Sequence, residues 1–252
     1  MKVLGIIPSR LKSSRLKNKP LHKVLGIPLI EHVYKRASLS KSLDDLVVAT
    51  DHSSIFDLVN SFGGKAIMTS QHHNNGTERM AEVVAAYPDY DYYVLINGDE
   101  ILLNPKSINI SIKTLQNNES SSCSILAIKF DRFNSYSDFK VVFNKKMELM
   151  YISRNDIPSN SRNNFDYLLK AYHLMTFKKE TILEYSLMEK SFLEKIEDHE
   201  HLRLLENGYK ISGCLVEDDC ISLDTIEDLK IIEEKLSKDS LFLEVIKDER
   251  CH

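Results

Sequence analysis

Paired cysteines, an excess of positive charge and long apolar runs are all missing from this 252-residue chain. Its four cysteines form no Cys-x-x-Cys pair and have no histidine at ligand spacing, so neither a zinc site nor a disulfide framework is expected. A formal net charge of -4 argues against a general nucleic-acid-binding protein, which needs a broad positive field. No apolar run is long enough for a membrane span or a signal peptide, so we expect a cytoplasmic protein without a membrane partner.

Glycine-rich phosphate-binding motifs are absent as well. The chain contains neither G-x-G-x-x-G nor G-x-x-x-x-G-K-[ST], so neither a dinucleotide-binding fold nor a P-loop ATPase is supported. Any phosphate must therefore be held by side chains. With 42% hydrophobic and 28% charged residues, the composition is that of an ordinary folded protein, long enough for a main domain with a smaller appendage.

Apolar runs alternate with amphipathic helical patterns through the first part of the chain. The apolar runs lie at residues 2–7, 46–50, 66–69 and 92–96. Helical patterns follow Pro28 and Asp51, Gly63 is placed to end the second helix, and Thr77 could cap a third. Strands and helices at this spacing predict a Rossmann-like, mostly parallel α/β sheet with helices on both faces.

The pattern changes beyond Pro105. After one more helix, short strands are predicted at residues 124–130, 139–143 and 148–152, followed by an irregular segment at 155–164. The remaining predictions are a helix over 196–206, a strand over 210–216 and a last helix opened by Asp224 and Thr225. We therefore predict a nucleotide-binding α/β core (residues 1–130 and 196–240), a smaller antiparallel portion (131–195) and a C-terminal tail (241–252).

Positive charge is concentrated in the loop that follows the first strand. This loop contains Arg10, Lys12, Arg15, Lys17 and Lys19. A single exposed lysine or arginine is usually only solvated, but five in one loop repel one another unless an anion neutralises them. The cluster therefore predicts a polyphosphate site.

A carboxylate stands at the end of the fourth apolar run. Asp99 follows Gly98 there, where an isolated carboxylate would lose solvation unless it met a cation. Mg²⁺ takes oxygen ligands, usually one or two carboxylates together with substrate phosphates. Asp224 is the best candidate for a second carboxylate, although it could equally be a helix N-cap.

Two histidine-containing segments have weaker signals. The loop from His72 to Gly76 could read the edge of a base or simply form a turn, and alone the turn is favoured. His199 and His201 flank Glu200 on the helix predicted over 196–206. Because helical residues two apart do not share a face, a metal pair is not expected there.

Several short motifs occur in an order and at spacings typical of one enzyme family. They are Ile7-Pro8-Ser9-Arg10, Ser14-Arg15-Leu16, Lys19-Pro20-Leu21, Val48-Ala49-Thr50-Asp51, Gly76-Thr77-Glu78-Arg79, Asn97-Gly98-Asp99-Glu100, Ser153-Arg154, Leu202-Arg203 and Leu223-Asp224-Thr225. From Val3 to about Leu236 the chain resembles the CMP-Kdo synthetase family, the 3-deoxy-manno-octulosonate cytidylyltransferases.

The resemblance implies transfer of CMP from CTP to a 2-keto sugar acid, with release of pyrophosphate and a role in lipopolysaccharide biosynthesis. It also implies Mg²⁺ as cofactor, a homodimer, and a smaller portion that binds the sugar acid and forms the dimer. Catalysis would depend on Arg10, Lys19 and Asp99. Nucleotide contacts would come from Pro8, Ser9, Arg10, Ser14, Lys19, Asp51, Gly76, Thr77 and Arg79. Sugar-acid contacts would come from Arg15, Asn97, Arg154, Glu200 and Arg203, and Asp99 and Asp224 would hold the metal.

Three departures from the family pattern fall on the sugar-acid side. Asn97 replaces a glutamine, which shortens a polar group expected near the acid. The segment from Ala171 to Phe177 stands where the family usually reads His-Leu-Gly-Ile-Tyr-Gly-Tyr, and His199 to Arg203 stands where it reads Leu-Glu-Gln-Leu-Arg. Three hypotheses follow: a cytidylyltransferase for Kdo, a cytidylyltransferase for another acidic sugar or related acid, and a nucleotide-binding protein without catalysis.

Overall fold

A mixed sheet forms the centre of the protein in a computed structural model that describes residues 1–12, 16–163, 165–218, 221–223 and 226–242. The strands are β1 (Val3–Ser9), β2 (Lys23–Val24), β3 (Ile27–Pro28), β4 (Asp45–Thr50), β5 (Ala66–Met68), β6 (Tyr92–Ile96), β7 (Cys123–Phe130), β8 (Lys140–Phe143), β9 (Leu149–Ser153), β10 (Leu168–Lys178) and β11 (Ile211–Leu215). The helices are α1 (Leu29–Ser38), α2 (Ser53–Ser61), α3 (Gly76–Ala86), α4 (Pro105–Gln116), α5 (Lys179–Leu187), α6 (Phe192–Glu197), α7 (Leu202–Glu206) and α8 (Ile226–Ser237).

The main sheet has the strand order β11-β7-β10-β6-β1-β4-β5. Its neighbours are parallel except for β10, which runs antiparallel to both β6 and β7. β8 pairs with β10 and with β9, while β2 and β3 form a separate antiparallel pair. The predicted fold class, a mostly parallel α/β sheet with smaller antiparallel additions, is confirmed.

Both faces of the main sheet are buried, because its strands are almost continuously apolar. Along β1, Leu4 and Ile6 belong to one buried cluster, whereas Val3 and Ile7 belong to the cluster on the opposite face. Each fully buried aliphatic side chain of this kind contributes about 1.5–3 kcal/mol. The strand ends are therefore held rigidly, and the loops that follow them are positioned by the sheet.

Most predicted elements of the first part of the chain are confirmed, with one correction at α3. Helix α1 begins directly after Pro28, and Gly63 follows α2 with a φ of +82°, as its predicted place at the helix end requires. The N-cap of α3 is Asn75 rather than Thr77, because the Asn75 side chain accepts a hydrogen bond from the Glu78 backbone. Thr77 lies inside the first turn, and its hydroxyl donates a hydrogen bond to Glu200 instead.

The predicted helix over residues 196–206 is wrong. Two short helices, α6 and α7, replace it. Asp198 ends the first of them with a left-handed φ of 52°. The segment from His199 to His201 therefore lies in a turn, and the helical argument about the directions of its side chains does not apply.

The strand β10 and the helix α5 were not predicted. β10 belongs to the proposed smaller portion, residues 131–195, yet it lies inside the main sheet between β7 and β6. The boundaries of that portion stay a prediction. The capping pair predicted at Asp224 and Thr225 lies outside the described residues, as does the predicted tail beyond residue 242. Among the helices that the structure describes, none combines the length and apolarity that a membrane crossing requires.

Candidate active site

A cavity of about 390 Å³ opens where β1 and β6 end. Ligands collect at this position in open α/β sheets, because the carboxyl ends of several strands and the loops after them converge there. The cavity is lined by Pro8, Ser9, Arg10, Lys12, Lys19, Pro20, His73, Asn74, Asn75, Gly76, Arg79, Asn97, Gly98, Asp99, Asp198 and Glu200. Most of the lining residues carry polar or charged side chains.

Nine of the predicted site residues line this cavity and others do not. Those that line it are Pro8, Ser9, Arg10, Lys19, Gly76, Arg79, Asn97, Asp99 and Glu200. Asp51, Thr77, Arg154 and Arg203 are absent from the lining. Ser14, Arg15 and Asp224 lie outside the described residues. Ligand contacts of all these residues stay predictions.

The described part of the basic loop, residues 9–12 and 16–19, brings positive charge to one wall of the cavity. Arg10 and Lys12 are exposed there, and neither has a carboxylate partner among the residues that the structure describes. Lys19 is buried, and its Nζ lies 2.5 Å from Oδ2 of Asp99. It is fixed by a short 3₁₀ turn from Lys19 to Leu21, which Asn18 enters with a left-handed φ of 54°. Three residues of the predicted cation cluster, Arg10, Lys12 and Lys19, thus share the cavity with the predicted carboxylate. Lys17 is absent from the lining, and Arg15 lies outside the described residues.

Ser9 leaves a polar atom without a partner in this wall. Its Oγ is buried and has no hydrogen bond within the described part of the chain, although the residue lines the cavity. A buried hydroxyl without a partner costs roughly 1–3 kcal/mol. A bound ligand with an oxygen or nitrogen atom at this position would remove that cost.

Two glycines allow the loops to approach the end of β1 closely. A Cβ on Gly98 would lie 3.0 Å from the backbone oxygen of Pro8, and one on Gly76 would lie 3.2 Å from Cγ of the same proline. Both distances are shorter than an ordinary van der Waals contact. The absence of side chains at these two positions therefore keeps Asp99 and the start of α3 near the basic loop.

Arg79 and Asp51 are partners of each other. Arg79 Nη2 donates to Oδ2 of Asp51 at 3.0 Å, while Nη1 donates to the Thr69 hydroxyl and to the Ser70 carbonyl. The guanidinium is 3% exposed, so most of its donors are already used. This pair ties the end of β4 to α3, and the geometry favours a positioning role for both residues.

Glu200 is held in the cavity wall by Thr77. Thr77 donates to Oε1 of Glu200 from its hydroxyl at 2.5 Å and from its backbone N–H at 3.3 Å. Burial raises the pKa of Glu200 to about 7, although the Thr77 hydrogen bonds oppose the shift. The carboxyl is therefore poised between its neutral and ionised forms at neutral pH.

Arg203 is the centre of a buried ion-pair cluster. It makes a bidentate contact with Glu194, with N–O distances of 2.7 and 2.6 Å, and contacts Glu78 at 3.0 Å. Its guanidinium also lies 4.2 Å from the ring centre of Tyr185. Burial opposes the charge, but the hydrogen bonds to Glu194 and Glu78 and the electrostatic effects of Tyr185 and Glu194 together outweigh it and raise the pKa of Arg203. Arg203, which was predicted to contact the sugar acid, thus lies behind the cavity lining and is held by protein partners.

Arg154 packs near the start of the turn between α6 and α7. Its guanidinium lies 4.1 Å from the ring centre of Phe139, and it donates to the carbonyls of Glu197 and Tyr136. One of its nitrogens lies 3.5 Å from Asp198, which lines the cavity. Arg154 is therefore close to the cavity through a neighbour rather than through a direct position in the lining.

Sequence reasoning missed a group of histidines beside the cavity. His173 comes from β10, and His199 and His201 come from the turn between α6 and α7. The rings of His199 and His201 are 5.0 Å apart, because the turn replaces the expected helix. The sequence contained one sign of this group: all three histidines occupy positions where the chain departs from the family pattern.

Asp99 is the predicted metal ligand that the structure places in the cavity wall, which also contains the carboxylates of Asp198 and Glu200. Its side chain is 30% exposed, and Oδ2 is paired with Lys19. Among the described residues, no group of three or more histidine, cysteine, aspartate or glutamate side chains could hold a metal ion. A carboxylate oxygen beside the predicted phosphate site would fit Mg²⁺, which completes its shell with substrate oxygens and water. The second predicted ligand, Asp224, is outside the described residues.

Comparison with known proteins gives consistent matches over most of the chain, including the residues that line the cavity. A family model described as cytidylyltransferase matches residues 4–211. A 3-deoxy-manno-octulosonate cytidylyltransferase of Fusobacterium nucleatum is 42% identical over 91% of this chain and 95% of its own. One of Protochlamydia amoebophila is 36% identical over 96% of both chains.

A solved structure, that of CMP:2-keto-3-deoxy-manno-octonic acid synthetase complexed with CTP, has the same fold. Its TM-score is 0.88 at 30% identity, covering 94% of this chain and 99% of that one. The fold, the position of the cavity and the sequence matches agree, and the chain belongs to the cytidylyltransferase family.

Proposed function

We propose that this protein transfers CMP from CTP to a 2-keto-3-deoxy sugar acid, Kdo or a close analogue, and releases pyrophosphate. The observation that carries the proposal is the cavity at the ends of β1 and β6, where Arg10, Lys12 and Lys19 share the lining with Asp99 and Lys19 contacts it. Relatives named as Kdo cytidylyltransferases support the choice of substrates. The structural neighbour in complex with CTP supports the choice of nucleotide.

The nucleotide would lie against the basic loop. Arg10 and Lys12 are exposed and line the cavity, so both can contact phosphate oxygens without breaking a described ion pair. The buried Ser9 hydroxyl can donate to another oxygen. Gly76 leaves space at the start of α3, where backbone N–H groups also favour a polar or negatively charged ligand. These residues would hold the triphosphate through side chains and a helix start.

The chemistry requires an acceptor hydroxyl to attack the α-phosphorus of CTP. A new phosphorus–oxygen bond forms to the sugar acid, the bond to the β-phosphate oxygen breaks, and pyrophosphate leaves while the hydroxyl proton passes to solvent. Lys19 and Arg10 would neutralise negative charge that develops on the phosphate oxygens. Mg²⁺, when bound at Asp99, would supply further charge neutralisation and acidify the attacking hydroxyl. Asp99 also orients Lys19 through their 2.5 Å contact.

The identity of the acid has a second candidate. Asn97 is shorter than the family glutamine, and position 171 carries Ala171 instead of a histidine. A pocket that hydrogen-bonds a substrate discriminates strongly against acids that leave its own groups unpaired. These changes favour another acidic sugar as an alternative acceptor within the same reaction.

Magnesium-dependent pyrophosphate release with a panel of acids tests the proposal. The purified protein is mixed with CTP, MgCl₂ and Kdo or a related 2-keto sugar acid. We expect one pyrophosphate and one CMP-linked acid for each CTP consumed. Replacement of MgCl₂ by EDTA should abolish release. Binding of CTP without turnover on any acid would instead support the non-catalytic alternative and contradict the proposal.

We also propose a homodimer. Four large apolar side chains on α5 and α6 are exposed: Leu183, Leu187, Phe192 and Ile196. Leu187 is 86% exposed and Phe192 is 70% exposed, which is unusual for such residues unless a partner covers them. Light scattering after size exclusion should give twice the 29.0 kDa of one chain. The variant Phe192→Asp should shift that mass to the monomer, and an unchanged mass would contradict this face.

A further inference from the structure

Three histidines that depart from the family pattern are brought together by the fold. His173 stands at the family glycine position, and His199 and His201 stand at the leucine and glutamine positions. Nε2 of His173 lies 3.3 Å from Nε2 of His199, and both rings pack edge-on against Phe139. Residues that are 26 positions apart therefore form one contact. None of the three histidines lines the cavity, but Asp198 and Glu200, from the same turn as His199 and His201, do.

The position of His173 places it next to predicted acid ligands. Leu174 of β10 pairs with Ile96 of β6 in an antiparallel register, so His173 and Asn97 are the neighbours just beyond that pair. The side chain of Ala171 is on the same face of the strand, because side chains alternate along β10. Compared with the family pattern, the imidazole has moved by two residues, or about 7 Å, along the strand.

The hydrogen bonds of this cluster assign the tautomers. The backbone N–H of His201 donates to Nδ1 of His199 at 3.3 Å, which requires a lone pair on Nδ1. The proton of a neutral His199 is then on Nε2, and it is donated to Nε2 of His173. A neutral His173 consequently carries its own proton on Nδ1. No partner of that N–H is present among the described residues.

Both imidazoles are neutral near pH 7. Burial, with a further contribution from Lys170, lowers the pKa of His173 to about 4. Burial also lowers the pKa of His199, and His201 and His173 add to the effect. The Nδ1–H of His173 is therefore a fixed neutral donor rather than a positive charge.

A metal site is the other use that a histidine cluster could have. The described residues contain no group of three or more potential ligands in a suitable arrangement. The two facing nitrogens also use their lone pair and proton on each other. The cluster is therefore suited to hydrogen bonding.

We propose that His173 determines acceptor specificity in this chain by donating its Nδ1–H to an oxygen of the acid. This inference rests on the proposed function and names the residue that would distinguish one acid from another. His199 is a positioning residue, because it holds the tautomer and the ring of His173.

Steady-state kinetics of four variants test the proposal. With the best acceptor, His173→Ala should raise the KM for the acid about 10-fold and change the KM for CTP less than about 2-fold. His173→Gln, which retains an N–H donor, should recover part of the loss. His199→Ala should raise the same KM about 5-fold through loss of orientation. His22→Ala, which replaces a histidine at the end of the 3₁₀ turn and outside the histidine cluster, is the control and should change neither KM.

The exchange of the two strand positions tests specificity directly. The double variant Ala171→His with His173→Gly restores the family pattern, and it should shift the ratio of kcat/KM values toward Kdo if the wild type prefers another acid. If the wild type prefers Kdo, the exchange should retain Kdo activity while His173→Gly alone loses it. An unchanged acceptor KM and an unchanged acceptor ranking in all His173 variants would overturn the inference.

A tautomer measurement separates this inference from the proposed function. Nitrogen-15 spectra of the wild type should show His199 protonated at Nε2 and His173 protonated at Nδ1. The opposite tautomer of His173 would overturn the inference even in an active enzyme. A wild type without turnover on any acid would overturn the proposed function, and the spectra would then still decide whether the hydrogen-bond chain exists.

Discussion

The basic loop and the turn between α6 and α7 present charge to the same cavity in opposite ways. In the loop, Arg10 and Lys12 are exposed, without a carboxylate partner in the described part of the chain. Around the turn, Glu200 is bonded to Thr77, and Arg203 is bonded to two glutamates. Arg10 and Lys12 therefore depend on a ligand for a partner, whereas Glu200 and Arg203 already have partners within the protein.

Because of this difference, exposed and buried charges have different free-energy costs. Arg10 and Lys12 are exposed, so water screens the repulsion that the sequence suggested, and these two cations need not destabilise the fold. Buried ionised groups need partners, and removing one partner leaves the other in a medium that solvates it poorly. Substitutions in the loop should therefore change ligand binding and catalysis, while substitutions behind the turn should first change stability.

The largest expected effect is that of Arg203→Met. It leaves Glu194 and Glu78 without their shared cation, so we expect the free energy of unfolding to fall by about 3–5 kcal/mol. Urea denaturation followed by circular dichroism measures the change. Arg162→Met, which removes an exposed arginine, is the control and should cost less than about 0.5 kcal/mol. Equal losses in both variants would contradict the comparison.

Asp99→Asn should be next in size, and its main effect should be on activity. The amide keeps the shape of the side chain but removes the charge that pairs with Lys19 and would attract Mg²⁺. We expect kcat/KM to fall by about 10²–10³-fold. Because Lys19 is buried and loses an ionised partner, the urea midpoint should fall as well, but by less than in Arg203→Met. Asp89→Asn, in the exposed turn before β6, should retain full activity. Wild-type pyrophosphate release by Asp99→Asn would rule out its assigned role.

Glu200→Gln should change how stability depends on pH. The pKa of Glu200 is raised from the ordinary 4.5 to about 7, so ionisation in the folded protein is unfavourable. Below pH 4.5 the carboxyl of Glu200 is neutral in both the folded and the unfolded wild type, and its contribution to the free energy of unfolding is fully present. As the pH rises from 4.5 to 7, the carboxyl ionises in the unfolded protein first, and this contribution is lost.

Glutamine stays neutral throughout this range. The variant should therefore gain stability relative to the wild type, on the order of 1–3 kcal/mol at pH 8, and little at pH 4.5. Thermal unfolding measured at both pH values tests this expectation. Glu189→Gln, an exposed glutamate, is the matched control and should show no such dependence. A gain that is equal at both pH values would contradict the raised pKa.

Ser9→Ala should have the smallest effect and should act in opposite directions on folding and binding. The hydroxyl is buried without a partner within the described residues, so its removal should leave stability unchanged or slightly higher. If CTP provides the missing partner, the Kd for CTP should rise by about 5- to 10-fold, or about 1 kcal/mol. Calorimetric titration with CTP decides this, and an unchanged Kd would remove Ser9 from the nucleotide contacts.

The same contrast explains what could be predicted from the sequence. The basic loop and Asp99 follow apolar strands directly, so their positions at the strand ends are given by local order in the chain. The pairing of Lys19 with Asp99 follows from the parallel arrangement of β1 and β6. These features need only the rule that the carboxyl ends of parallel strands meet.

The turn and β10 could not be predicted because their cause is not local. The left-handed conformation of Asp198 interrupts a pattern that is helical on both sides, and no glycine or proline marks the break. β10 contains Lys170, whose charge suggests an exposed strand, but a 2.5 Å contact with Asp138 allows it to be buried. Packing between distant segments determines both features, and the positions of the three histidines follow from them.

The position of β10 also has a consequence for the order in which the protein is assembled. β6 ends at Ile96 and β7 begins at Cys123, but β10 separates the two strands in the sheet. During synthesis, the group β5-β4-β1-β6 can form as soon as its residues emerge, whereas β7 can join it only after Lys178 has been added. The strand that carries His173 thus joins the sheet only after the group β5-β4-β1-β6 can have formed. Such late, long-range pairing slows folding, and it leaves the edge of β6 open in the nascent chain until β10 covers it.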